Sequence, residues 1–178
     1  GFAAGLPEAV FVRGVPGGSL EQVVLRLDIL HALRELGVPV YNDARAIERS
    51  VDKAMTSFLL HHAGVPTPPT WATEDPADAM RIAMKSFAHG RQLVAKPLFG
   101  SQGKGVRRFD VVPPEPPLQA GVAYLQQWLP PQGDCYADWR VLVIGGRAFA
   151  AMRRESAHWV TNMAQGATPH PIDIAVPA

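Results

Sequence analysis

The segment Lys96-Pro97-Leu98-Phe99-Gly100-Ser101-Gln102-Gly103-Lys104-Gly105-Val106 decides how this chain is read. Three glycines within six residues let the backbone approach a ligand closely and turn several N–H groups toward one point, which is how a loop cradles phosphate. The segment is not a Walker A loop, because Lys104 is followed by Gly105 and not by Ser or Thr. Nor does it have the glycine order of a dinucleotide-binding turn, and a strand, not a helix, is predicted after it. Without a helix N-terminus to supply positive charge, the loop needs lysines nearby; otherwise it is a plain hairpin tip. Lys96 meets that need. It ends an apolar strand predicted from Gln92 to Lys96, and Pro97 keeps it extended. A lysine so placed either guards a sheet edge or meets an anion.

Upstream, Val10-Phe11-Val12 predicts a short strand, and Ser19 with Gln22 reads as a capping box for a helix from Leu20 to near Leu36. Val38 to Tyr41 is a second strand, and Asn42-Asp43 begins a turn. Ser50 is expected to cap a helix from Val51 to Ala63, which sets Lys53 in the first turn. The macrodipole disfavours a cation there, so an anion would justify it; the alternative is a solvated surface lysine. A third helix opens at Asp75-Pro76 and ends at Gly90. Downstream, strands are expected over 106–112, 122–129 and 139–144, with a loop over 111–120. Gly145-Gly146 turns the last strand into a hairpin with Arg147–Arg153, and no closing helix follows Asp173.

Asp138 and Arg140 alternate on a strand and so face one side, and only one of Arg153 and Arg154 can join them from the partner strand. A carboxylate beside arginines is either a structural ion pair or a site that orients a hydroxyl and grips an acidic substrate. Elsewhere the chemistry is sparse. The six histidines have no partners at metal-ligand spacing, Cys135 has no activating base, and Trp71, Trp128, Trp139 and Trp159 are expected in the core.

Composition narrows the classes. With 17 Lys and Arg against 16 Asp and Glu, the 178-residue chain has no basic excess for a phosphate backbone, so nucleic-acid binding is not expected. One cysteine allows no internal disulfide. No apolar run nears the roughly 18 residues of a membrane span. The start, Gly1 to Gly5, has no charged leader pattern, so a soluble, cytoplasmic protein is expected. The 16 Gly and 17 Pro gather in short breaks such as Pro66-Thr67-Pro68-Pro69 and 113–117, punctuating a folded chain.

The order of these pieces resembles the ATP-grasp ligases of the RimK type, the α-L-glutamate ligases. The resemblance rests on Asp52-Lys53, Ala63-Gly64-Val65-Pro66-Thr67-Pro68, Val94-Ala95-Lys96-Pro97 and the Gly100–Gly105 loop. It continues through Leu125-Gln126-Gln127-Trp128-Leu129, Asp138-Trp139-Arg140-Val141-Leu142-Val143, Arg153-Arg154, Thr161-Asn162 and Gly166. It spans roughly residues 10 to 170. It implies an α+β ATP-grasp fold, two lobes around a nucleotide cleft, preceded by part of an α/β domain. The expected division is 1–50 for that partial domain, 51–128 for the lobe with the glycine flap, and 129–178 for an incomplete second lobe.

In such a family an acyl phosphate made from a carboxylate is attacked by an amine. The resemblance gives Lys53 and Lys96 the phosphates, and makes Gly100, Ser101, Gln102 and Gly103 the flap above them. Gln127, Trp128 and Leu129 become the adenine hinge, Asp138 a nucleotide-binding aspartate, and Thr161-Asn162 part of the motif near the phosphates. Arg140 and Arg154 are expected to grip substrate or the transferring phosphoryl group. That division of labour suits phosphoryl transfer, which asks for positioning and positive charge and needs no nucleophilic side chain. The residues around Trp159-Val160-Thr161-Asn162 resemble RimK-like proteins linked with pterin one-carbon carriers.

Two departures stand out. Val160 occupies the place where the family pattern has arginine, so that contact is absent or is supplied by Arg153 or Arg154. The family's Mg²⁺ ligands, an acidic residue and a Glu-x-Asn on later strands, have no match after Asn162, where Asp173 is the only carboxylate. The expectation is therefore an incomplete ATP-grasp chain whose Mg²⁺ ligands lie beyond residue 178. The implied partners are ATP, a glutamate-like small molecule, and an amine or carboxylate acceptor, with a homo-oligomer left open. The alternative is a nucleotide-binding or partner-binding module that does not turn over. A protein kinase is disfavoured by the lack of His-Arg-Asp and Asp-Phe-Gly segments.

Overall fold

A computed structural model describes residues 5–100, 103–131, 133–163 and 166–173. The chain divides into two compact units, Gly1–Thr67 and Pro68–Ala178, the break falling inside the Pro66–Pro69 link.

In the first unit, strands β1 (Val10–Phe11) and β2 (Val40–Tyr41) pair in parallel across helix α1 (Leu20–Glu35). The expected capping box is formed: the Ser19 hydroxyl accepts from the Gln22 N–H, and the Gln22 side chain accepts from the Ser19 N–H at 3.1 Å. The next region differs from expectation. Helix α2 (Ala44–Val51) starts at an Asp43 cap, and Asp52 caps a separate helix α3 (Lys53–His62). Ser50 is not a cap; it lies inside α2 and donates to the Ile47 carbonyl at 2.9 Å. An aspartate at each boundary outcompetes the serine, because its two oxygens can take more than one of the open N–H groups at a helix start.

The second unit is built on an antiparallel sheet with strand order β3-β6-β4-β5: β3 (Thr70–Thr73), β4 (Leu93–Lys96), β5 (Arg107–Phe109) and β6 (Ala123–Gln127). Helix α4 (Pro76–Ala88), capped by Asp75, covers one face. Ala79, Ile82 and Ala83 of the helix meet Leu93, Ala95, Ala123 and Leu125 of the sheet, with Trp71, Phe87 and Phe109 packed around them. Since alternate residues of a strand face opposite ways, the other face carries Thr70, Val94, Lys96, Tyr124 and Gln126, in a register that sets Gln126 opposite both Thr70 and Val94. Strand β3 is not announced by the sequence: its four residues sit between a proline link and a helix cap, and pairing with β6 is what makes them a strand. Strand β5 is shorter than expected.

A second antiparallel sheet follows, with β7 (Tyr136–Ile144), β8 (Arg147–Ser156) and β9 (Thr168–Ile172) in order. The glycine hairpin forms as expected, and the β7–β8 ladder extends beyond the predicted strands at the end away from the turn, to Tyr136 opposite Ser156. Strand β9 is unexpected because Pro169 and Pro171 read as breakers. Their alternate spacing leaves Thr168, His170 and Ile172 with N–H groups for the ladder, as an edge strand tolerates. Trp139 is not in a core: it is 64% exposed on β7. Among the described residues, no helix is long and apolar enough to cross a membrane.

Candidate nucleotide-binding site

The face of the first sheet turned away from α4 holds a connected set of polar groups. Lys96 Nζ donates to Gln126 Oε1 at 2.6 Å, Gln126 Nε2 donates to Thr70 Oγ1 at 3.0 Å, and the Thr70 hydroxyl donates to the Pro68 carbonyl at 2.8 Å. Lys96 is thus held at the end of β4, directly before the glycine segment. Thr70 is not a residue that the sequence singles out, and Gln126 enters there only within the Leu125–Leu129 motif, without a role of its own. The signal was there, in a polar side chain directly after the run Val122-Ala123-Tyr124-Leu125.

The loop after Lys96 has a demanding backbone. Gly103 and Gly105 have φ of 69° and 72°, where a side chain is strained. A Cβ on Gly105 would also come within 2.9 Å of Pro97 Cγ and 3.1 Å of Gln119 Oε1. Gly100 and Gly103 are described; Ser101 and Gln102, the other expected flap residues, lie outside the described residues.

At the end of β6, the Gln127 N–H donates to the Pro69 carbonyl at 2.9 Å and the Trp128 N–H to the Gln92 carbonyl at 2.8 Å. These two N–H groups of the expected hinge are therefore engaged in tying it to its neighbours. Leu129, which Pro130 keeps extended, is exposed. The Trp128 ring meets Trp159 edge-on at 5.4 Å and Tyr136 at 6.2 Å, and the Arg108 guanidinium lies 5.1 Å above it. Trp128 and Trp159 thus join the end of the first sheet to the residues around Thr161.

A third cluster lies on β7 and β8. Asp138 stands opposite Arg154 in the ladder and receives Arg154 Nε on Oδ1 at 2.7 Å and Arg154 Nη2 on Oδ2. Arg140 Nη2 lies 3.3 Å from the same Oδ2. Burial raises the Asp138 pKa, but the Arg154 hydrogen bonds, the charges of Arg140 and Arg154 and a hydrogen bond from Thr161 outweigh it, leaving the carboxyl below its ordinary value. The two arginines differ. Arg154 is 8% exposed and forked onto the aspartate, whereas Arg140 is 57% exposed. Arg153 faces elsewhere, pairing with Glu155 and lying 3.8 Å from Cys135 Sγ. Asn162 accepts the Ala167 N–H on its carbonyl at 3.3 Å.

Lys53 belongs to the first unit. It is the first residue of α3, behind the Asp52 cap that accepts from Ala54 and Met55 N–H at 2.8 and 3.0 Å. Burial lowers its pKa from the ordinary lysine value, and the Asp52 charge offsets this only in part. A half-desolvated ammonium beside a helix start is a group that gains from a nearby anion.

The described residues do not form a site for Mg²⁺. Asp138 spends both oxygens on Arg154, and no group of three His, Cys, Asp or Glu side chains converges among the described residues.

No family model matches the chain. By sequence it is similar to the tetrahydromethanopterin:α-L-glutamate ligase of Methanococcus maripaludis, 34% identical over 175 residues that cover 94% of this chain and 58% of that protein. The ligase of the same name from Methanosarcina acetivorans is 32% identical over 178 residues, 89% of this chain and 53% of that protein. The chain spans somewhat more than half the length of these curated relatives. Among solved structures, the ATP-grasp ligase PsnB complexed with minimal precursor, Mg and ADP superposes with a TM-score of 0.60 at 22% identity, over 96% of this chain and 56% of that one. The first likeness is one of sequence and the second one of fold, and they agree. This chain has the ATP-grasp fold and is a relative of the RimK-type α-L-glutamate ligases.

Proposed function

We propose that the protein carrying this chain is an ADP-forming carboxylate–amine ligase that adds L-glutamate to an acceptor, with a pterin-type cofactor the favoured acceptor and a peptide the other. In this reading a carboxylate oxygen takes the γ-phosphoryl group of ATP and releases ADP. The amine nitrogen then attacks the acyl carbon, and phosphate leaves. The observation that carries the reading is Lys96, held at the end of β4 by Gln126, immediately before a loop in which Gly103 and Gly105 have positive φ. A lysine and convergent amides at one point are what a triphosphate requires.

The remaining roles are those that the family resemblance implies. Lys53 and Lys96 hold phosphate oxygens, the Gly100–Gly103 segment with Ser101 and Gln102 closes over them, and Gln127, Trp128 and Leu129 border the adenine. Thr161 and Asn162 lie near the phosphates. Asp138 meets the nucleotide, with Arg154 holding its carboxylate, and the open guanidinium of Arg140 grips the acidic substrate or the moving phosphoryl group. The lobes at 51–128 and 129–178 and the partial domain at 1–50 belong to the same proposal, as does a cytoplasmic location. Mg²⁺ neutralises the phosphates in such a reaction, held by residues other than those described.

The sequence relatives named as tetrahydromethanopterin ligases support a pterin acceptor over a peptide. The test is ADP release by the full native protein supplied with ATP, L-glutamate and tetrahydromethanopterin, beside the same mixture with a glutamate-ended peptide. The reading predicts ADP release that depends on glutamate and on the pterin, with a product heavier by one or more glutamyl units. ADP release with neither acceptor would contradict it.

A further inference from the structure

We propose that Thr70 is a positioning residue for Lys96: by fixing which end of the Gln126 amide faces the lysine, it aims the Lys96 ammonium for nucleotide phosphates. The proposal rests on the nucleotide reading above and adds to it a determinant on a different strand, one that needs no contact with the ligand.

A glutamine amide has a donor end and an acceptor end of nearly the same shape, and its neighbours decide which way it turns. A carbonyl oxygen can only accept, so the contact between Thr70 Oγ1 and the Pro68 carbonyl at 2.8 Å spends the hydroxyl's single proton. Thr70 Oγ1 then has only lone pairs to offer Gln126. The amide must present Nε2 to it, which is the 3.0 Å contact observed. That leaves Oε1 on the other side, 2.6 Å from Lys96 Nζ. Every link has one allowed direction, starting from a backbone carbonyl and ending at the ammonium. The strands β3, β6 and β4 are adjacent in the sheet, so the relay crosses it: Thr70 lies directly opposite Gln126, and Lys96 is one diagonal step further, two residues along β4 from Val94.

Two features make this more than a surface hydrogen-bond chain. Its anchor is the carbonyl of a proline, whose neighbour Pro69 restricts the backbone there, so the anchoring group is itself fixed. The acceptor facing the lysine is a neutral amide. It orients the ammonium without cancelling its charge, as a carboxylate at the same place would. If the amide turned over, its NH₂ would face the ammonium, donor against donor, and the lysine would leave for another partner.

The test compares Thr70→Val, which keeps the shape and loses the hydroxyl, with Thr70→Ser, which restores it. ADP affinity is measured by calorimetry in the full native protein, beside Lys96→Ala and with thermal unfolding as a control. The hydrogen exchange and chemical shifts of the Gln126 side-chain amide are followed by NMR without nucleotide. The expected result is an ADP Kd raised about tenfold in Thr70→Val, the size of a lost hydrogen bond to a charged group, and close to the parent value in Thr70→Ser. The Gln126 amide signals move and exchange faster in the valine variant alone. An unchanged Kd in Thr70→Val overturns the proposal, and so does an equal loss in both variants, which would mean a structural role. If the unsubstituted protein binds no ADP, the nucleotide reading itself has failed. The amide signals then decide alone whether Thr70 orients Gln126: no change in Thr70→Val would end that too.

Discussion

The two sheets of the second unit are made from similar strands and behave differently. Leu93-Val94-Ala95 in β4 and Val141-Leu142-Val143-Ile144 in β7 both read as continuous apolar runs, the pattern of strands buried on both faces. In the first sheet that is what happens: Leu93 and Leu125 are 1% and 0% exposed beneath α4. In the second sheet Val141, Leu142, Val143 and Ile144 are all about half exposed, together with Phe149. What separates them is a covering layer. A helix with Ala79 and Ala83 on its inner side can come close to the first sheet, while the described residues of this unit include no second helix to do the same for the other sheet. The polar groups are therefore held in different ways. Lys96, Gln126 and Thr70 stand on a sheet made rigid by a dry core behind it, whereas Asp138 and Arg154 are held by ladder pairing and by each other.

Substitutions can break or sharpen this contrast. The largest expected effect is that of Leu125→Ala, about 2–5 kcal/mol of stability lost, because it opens a cavity that α4 and the sheet cannot close. Denaturant unfolding reads it directly. Arg154→Ala comes next, at about 1–3 kcal/mol, since it strips a partly buried Asp138 of its forked partner, and Arg154→Lys recovers only part because an ammonium cannot bridge both oxygens. Gly105→Ala is expected to cost about 1–2 kcal/mol, from the positive φ and from the approach to Pro97. Leu142→Ala, at an exposed position in an equally apolar run, is expected to stay within about 0.5 kcal/mol. A cost near that of Leu125→Ala would show that the second sheet has a cover of its own.

The same contrast has a pH form. Asp138 has a pKa below its ordinary value in the folded chain, so near the acid end the unfolded chain binds the proton more readily. Its contribution to stability is complete above the ordinary aspartate range, near pH 4 or so, and is lost as the pH falls through the folded value. Unfolding free energy measured from about pH 6 to about pH 2 should decline less in Arg154→Ala than in the parent, because the variant has less of that contribution to lose. Parallel curves would mean that Arg154 does not set the Asp138 charge.

Much of the first sheet was legible in advance, because its signals are local. Asp75-Pro76 starts a helix by capping, Gly90 ends it, and an apolar run ending in Lys96-Pro97 is a strand with a charged end. That Asp138 would meet one of Arg153 and Arg154 was legible from alternation and the glycine hairpin, but which one was not: the register shift between Leu142 and Val143 sets Arg154 opposite it. What was missed depends on partners distant in sequence. Strand β3 has no pattern of its own, β9 carries two prolines that only an edge position excuses, and Ser50 lost its cap to aspartates on either side. The Thr70–Gln126–Lys96 chain of hydrogen bonds was illegible for the same reason. Three strands had to be placed in register before three ordinary polar residues became one connected group. Trp139 failed in the opposite sense, because an aromatic on a strand predicts burial only where something lies over it.

Everything here turns on one assignment: the face of the first sheet turned away from α4, with Lys96 at the end of β4, binds the phosphates of a nucleotide. The most direct measurement is a calorimetric titration of ATP, with and without Mg²⁺, into the protein and into Lys96→Ala, with thermal unfolding of both. The account predicts saturable binding to the parent, its loss in Lys96→Ala, and equal unfolding temperatures. Equal affinity in the two proteins would contradict it.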